Sequence, residues 1–147
     1  MGFNLEVNQL AGRPVNLKRL AVFFRKLKIV SKQKSNSAKI EVSLAIVGAT
    51  RIRSLNNHYR GNDRITDVLS FSNESIGAES ILGEIIICYP KAVTQAREQG
   101  TSLQVEIERL AIHGLMHLLG YDHVKDKEAE VMEAIENDLM KKITRAK

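Results

Sequence analysis

The chain has no tryptophan, one cysteine (Cys88) and two prolines in 147 residues. A single cysteine excludes an internal disulfide framework and any zinc site built from cysteine alone. Two prolines and nine glycines exclude collagen-like and proline-rich chains. No apolar run approaches the roughly 18–20 residues needed to cross a bilayer. The opening Met-Gly-Phe-Asn-Leu-Glu lacks the basic region and long apolar stretch of a secretion signal. Gly2 makes no myristoylation site, because Glu6 stands where Ser or Thr is needed. No internal repeat is present, and the only low-complexity run is the polar segment 31–37 (SKQKSNS). These absences predict a soluble, cytoplasmic protein with no membrane association, folded as one domain over residues 1–147.

Charge, by contrast, is plentiful and unevenly placed. The net charge is +5. Residues 1–60 carry 12 Lys/Arg against two acids, a net of +10, and residues 61–147 carry 10 Lys/Arg against 15 acids, a net of −5. Such asymmetry points to a polyanionic partner read by the N-terminal half, or to a solvated basic helix face. The basic residues include Lys18, Arg19 and Arg25 on one predicted helix, followed by Arg51, Arg53 and Arg60.

Hydrophobic periodicity orders the chain as β-α-β-α-β-β-α-α-α. Strands are predicted at 3–9, 39–47, 67–72 and 81–88. Asn16 caps a first helix, residues 49–59 form a second, and Pro90 to Gly100 bound a third. Ser102 caps a fourth over 103–119, apolar on nearly every side and therefore central and buried. Asp126 begins a fifth, with Val131, Ile135 and Leu139 facing the core. The class is α+β: a small mixed four-stranded sheet packed with about five helices, the buried one carrying the histidines.

Three of the four histidines fall between residues 113 and 123. His113 and His117 are four apart, so they lie about 40° apart on one helical face, one turn along. Both imidazoles can point at one ion. His123 lies beyond the helix, and Gly120 supplies the turn that brings it back. Three neutral imidazoles with an open fourth position are the donor set of a catalytic zinc site, one Zn²⁺ per chain. The spacing matches the metzincin peptidase motif H-E-x-x-H-x-x-G-x-x-H, with one departure. Gly114 stands where the peptidase needs its general-base Glu. The motif therefore argues for a zinc hydrolase other than a typical peptidase.

These residues resemble the YbeY family of bacterial endoribonucleases. The family's H-G-x-x-H-L-x-G-Y-D-H is present as HGLMHLLGYDH at 113–123. Its L-N-x-x-Y-R-G-x-D-x-x-T-D-V-L-S-F is present from Leu55 to Phe71, and LGEI at 82–85 is similar to its L-G-D-I. The likeness covers about residues 40–140. Ser72 stands where the family often has Pro, and Glu84 where it commonly has Asp. The first 40 residues match only in character.

The resemblance implies a single-strand-specific, metal-dependent RNase. It would act on ribosomal RNA, notably at the 3′ end of 16S rRNA, and in ribosome quality control. Its partners would be single-stranded RNA, rRNA and the ribosome or small-subunit biogenesis factors. It also implies zinc on His113, His117 and His123 and a role for Arg60 in activity. Arg60 and His113 are the expected catalytic pair, with Arg60 holding a phosphate through its planar fork. Lys18, Arg19 and Arg25 are expected to bind substrate, in a basic groove that continues through residues 51–60. Asp122 and Glu84 are the acids closest to the motifs for orienting a ligand or moving a proton. With 5% aromatics, an extended base-stacking platform is not expected, so affinity would rest on phosphates and fall with salt. Two alternatives stay open: a zinc hydrolase of a non-nucleic-acid substrate, and a ribosome-biogenesis binding factor with a structural metal.

Overall fold

The computed structural model describes residues 3–27, 41–73, 81–121 and 126–145. The expected polar loop at 31–37, Asp122 and His123 lie outside the described residues. The chain runs β1 (Asn4–Gln9), α1 (Leu17–Lys26), β2 (Glu41–Val47), α2 (Ala49–Arg60), β3 (Val68–Ser72), β4 (Gly83–Cys88), α3 (Tyr89–Gln99), α4 (Leu103–Leu118) and α5 (Asp126–Arg145). This is the order the periodicity predicts. Asn16 and Ser102 cap α1 and α4 as expected: Asn16 Oδ1 accepts from Arg19 N at 2.9 Å and Ser102 Oγ from Val105 N at 3.1 Å.

The strands form one mixed sheet in the order β1-β2-β4-β3. β1 and β4 flank β2 in parallel, with Val7 opposite Leu44 and Leu44 opposite Ile85. β3 closes the other edge antiparallel to β4, with Ser70 opposite Ile85. Central β4 reads GEIIIC and is apolar on both faces because both are covered. On one face Leu44, Ile46, Ile85 and Ile87 pack against Leu20 and Phe24 of α1 and Ile112 and Leu115 of α4. On the other, Ile86, Cys88, Leu69 and Phe71 pack under Ile52 of α2. The Cys88 thiol is buried, and desolvation raises its pKa. No helix among the described residues is long and apolar enough to cross a membrane.

Three expectations about buried faces need correction. First, α4 is not apolar throughout, because it buries Glu106 and Glu108 completely. Each carboxylate is matched. Arg109 bonds Glu106 through Nε at 3.0 Å and through Nη2, an i, i+3 pair on one face of the helix. That partner holds the Arg109 guanidinium pKa above its ordinary value. Arg19 forks onto both oxygens of Glu108 at 2.8 and 3.0 Å, and Gln104 Nε2 adds a bond at 3.0 Å. Arg19 therefore serves the interior. Second, α5 turns Met132 inward, fully buried, and leaves Val131 about half exposed, while Ile135 packs partly buried against the core as expected. The Leu139 side chain lies outside the described residues. Third, Tyr59 shares the helical spacing of Ile52 and Leu55, which predicts an inward side chain, yet it is 48% exposed.

α4 approaches the sheet closely at Gly114. A Cβ there would lie 2.7 Å from Ile85 Cγ2 and 3.1 Å from Ser70 Oγ. Ser70 Oγ donates to the Gly114 carbonyl at 3.0 Å, locking β3 to α4. No side chain fits between them, so the Glu of the peptidase motif has no room here.

Two stability measurements test this packing. Arg19→Ala strands a buried carboxylate and is expected to cost about 3 kcal/mol, whereas Lys18→Ala at the exposed neighbour should stay within about 0.5 kcal/mol. Equal effects in urea unfolding would contradict the pairing. Gly114→Ala is expected to destabilise by about 1–2 kcal/mol through overlap with Ile85, although alanine ordinarily favours a helix interior. A gain in stability would contradict the close approach.

Candidate active site

β3 is an edge strand, and its hydrogen-bonding phase decides what it offers. Cys88 N donates to Asp67 O at 2.8 Å and Asn73 N to Leu82 O at 3.1 Å, so residues 67, 69, 71 and 73 bond inward to β4. The amides of Val68, Ser70 and Ser72 consequently face outward. A cleft of about 530 Å³ opens along this edge, walled by β3, the end of α2 with its following loop, and the His113 and His117 turns of α4.

Arg60 is the last residue of α2 and lines the cleft. Its Nη2 donates to the outward Ser70 carbonyl, and its guanidinium carbon sits 5.4 Å from the centre of the Phe71 ring. Tyr59 rests on the same ring at 5.0 Å. Gly61, at φ 69°, ends α2 in a left-handed cap and releases the loop that carries Arg64, Thr66 and Asp67 into the cleft. Asn56, 3% exposed, pins that loop by donating to Arg64 O at 3.0 Å. The Asp67 carboxylate accepts from Val68 N at 2.8 Å and Gln95 Nε2 at 3.0 Å, which gives it a wall-building role.

The two imidazoles converge. His117 Nε2 lies 3.2 Å from His113 Nε2. Two ligands on a tetrahedral zinc at about 2.0–2.1 Å stand about 3.3 Å apart, so the donor spacing fits a shared ion. The other nitrogen of His113, Nδ1, lies 2.7 Å from Glu136 Oε1 on α5. Imidazole nitrogens with a carboxylate behind one of them suit a borderline divalent ion such as zinc. His123, the third expected ligand, and Asp122 lie outside the described residues.

The other expected site residues are placed apart. Successive strand side chains alternate, and Ile85 takes the α4 face. Glu84 thus stands on the α2 face, opposite Phe71, away from the histidines. Lys18 and Arg25 are exposed on α1, which packs on β1 at the far edge of the sheet from β3. Among the described residues, α1 and residues 51–60 do not form the expected continuous basic groove, because α1 and α2 cover opposite faces. Within α2, Arg53 is paired with Asp63 at 2.9 Å, a bond that raises the arginine's pKa.

Glu136 and Arg64 are the site residues that sequence reasoning missed. Glu136 is four residues beyond buried Met132, and an acid in the buried phase of a helix was the available signal. Arg64 sits inside the 55–71 motif, four residues after Arg60.

Comparison with known proteins agrees with this placement of motif residues. Residues 7–144 match the family described as Endoribonuclease YbeY. An Endoribonuclease YbeY of Moorella thermoacetica is 42% identical over 137 residues, covering 86% of this chain and 88% of that protein. One from Stenotrophomonas maltophilia is 39% identical over 126 residues (82% and 78% covered), and one from Aquifex aeolicus 45% identical over 109 (73% of each). A solution structure of a Thermotoga maritima protein superposes with a TM-score of 0.61 at 28% identity, covering 95% of this chain and 88% of that one. A match this long, over a fold whose cleft gathers the arginine of one family motif and two histidines of another, has one meaning: the chain belongs to the YbeY endoribonuclease family.

Proposed function

We propose that this chain is a metal-dependent endoribonuclease that cleaves single-stranded RNA in ribosomal RNA processing. In its finer form the proposal is maturation of the 16S rRNA 3′ end and ribosome quality control, in the cytoplasm, with the ribosome or small-subunit biogenesis factors as partners. Zinc is the proposed ion, one per chain, on His113, His117 and His123. The observation that carries the reading is the pair of Nε2 atoms 3.2 Å apart, in one cleft with Arg60.

The chemistry divides among the chain's own groups. When bound, a zinc ion supplies Lewis acidity toward a phosphoryl oxygen and the attacking oxygen. His113 and His117 present their Nε2 atoms toward one point. Arg60 now bonds the Ser70 carbonyl, a weaker partner than a phosphate. Transferring its planar fork to two phosphate oxygens neutralises charge that grows as the phosphodiester is attacked. Arg64, exposed in the same cleft, meets the next phosphate. The outward edge of β3 at Ser70 gives the strand a polar face along which an extended RNA backbone can lie. Gly114 excludes a carboxylate beside the first histidine, which removes the peptidase's proton acceptor and supports the nuclease reading over a peptidase. Lys18 and Arg25 remain candidates for distal phosphate contacts.

A cleavage assay on a single-stranded RNA tests the proposal. Arg60→Ala is expected to lower turnover by about 10²-fold or more. His117→Ala and chelator-treated wild type should be inactive, with zinc restoring the latter alone. Equal cleavage by wild type and both variants would overturn the reading.

A further inference from the structure

We propose that Glu136 is a positioning residue for the metal site, and that through it the docking of the C-terminal helix α5 is coupled to metal loading. The inference deepens the functional reading above and rests on it.

The contact is short and shielded. Glu136 Oε1 lies 2.7 Å from His113 Nδ1, with the two side chains 11% and 21% exposed. The 2.7 Å contact is a hydrogen bond that a proton on Nδ1 completes, with the carboxylate oxygen accepting. In a neutral imidazole the ligand nitrogen is then Nε2, the atom that faces His117. Rotation of the ring breaks the Glu136 bond, so the same contact fixes both the tautomer and the direction of Nε2.

The carboxylate comes from an element remote in sequence. Glu136 is 23 residues beyond His113, and α5 reaches the site by packing along α4. Met132 anchors α5 in the core and places Glu136 one helical turn further on, over the imidazole. Val131 and Glu133, on the outer side of α5, are exposed. One turn before His113, Arg109 is held by Glu106, and Glu136 adds to the negative field it feels. Because α5 supplies a group that strengthens metal binding, the metal must strengthen the docking of α5 by the same factor.

Zinc titration calorimetry on full-length, chelator-stripped protein tests this, with Glu136→Leu, Glu136→Gln and the exposed control Glu133→Gln. Glu136→Leu should weaken zinc binding about 10- to 100-fold. Glu136→Gln should weaken it less, since an amide oxygen still accepts from Nδ1, and Glu133→Gln should match wild type. Long-range ¹H–¹⁵N imidazole spectra should show the His113 proton on Nδ1 in wild type and a tautomer mixture in Glu136→Leu. Hydrogen exchange along α5 should slow on adding zinc to wild type and much less in Glu136→Leu. Wild-type zinc affinity in Glu136→Leu overturns the proposal and leaves the nuclease reading standing. A wild-type spectrum with the His113 proton on Nε2 also overturns it, whether or not the leucine variant folds. Failure of wild type to bind zinc refutes the zinc assignment and the coupling with it, while the spectrum still decides whether Glu136 orients the ring.

Discussion

The close approach of α4 to the sheet at Gly114 sets the geometry of everything that follows. The glycine brings the helix backbone against Ile85 of β4 and within a hydrogen bond of Ser70 on β3. A glycine inside a helix ordinarily costs about 1 kcal/mol relative to alanine. Here that cost is offset by dense packing and by the Ser70 bond. His113 precedes this contact and His117 follows it by less than one turn. Their depth relative to the edge of β3 is therefore fixed by backbone packing, before any ion or hydrogen bond acts on the imidazoles.

The same contact shapes the chemistry by exclusion. A carboxylate after the first histidine would need the space that Ile85 occupies. The cleft is instead furnished with two arginines, a loop pinned by buried Asn56 and the outward amides of an edge strand. Exposed strand edges usually invite unwanted pairing. Here the edge is short, and Arg60 caps its central carbonyl. These are groups that suit an extended phosphodiester chain, and they stand on the far side of the sheet from the basic helix α1.

What the sequence made legible follows from how local each signal is. The element order was readable because strand alternation, helical periodicity and caps such as Asn16 and Ser102 act over a few residues. The convergence of His113 and His117 was readable because i, i+4 spacing alone places two side chains on one face. Glu84 was misplaced because proximity in a motif says nothing about strand parity, which turns it to the α2 face. Arg19 read as surface charge because its partner, Glu108, is 89 residues away. The apolar stripe of Val131 and Ile135 predicts the inward face of α5 only in part, because that face also carries an acid, Glu136, whose partner is an imidazole on another helix. The charge asymmetry between the two halves is real, yet among the described residues the basic side chains of α1 and α2 lie on opposite faces of the sheet.

The account depends on one ion shared by two imidazoles through Nε2. Anomalous diffraction at the zinc edge from crystals of the zinc-loaded protein tests this directly. The account predicts a single strong peak about 2.0–2.1 Å from both His113 Nε2 and His117 Nε2, with Glu136 still on His113 Nδ1. A peak bound through Nδ1 of either residue, or located outside the cleft, would contradict it.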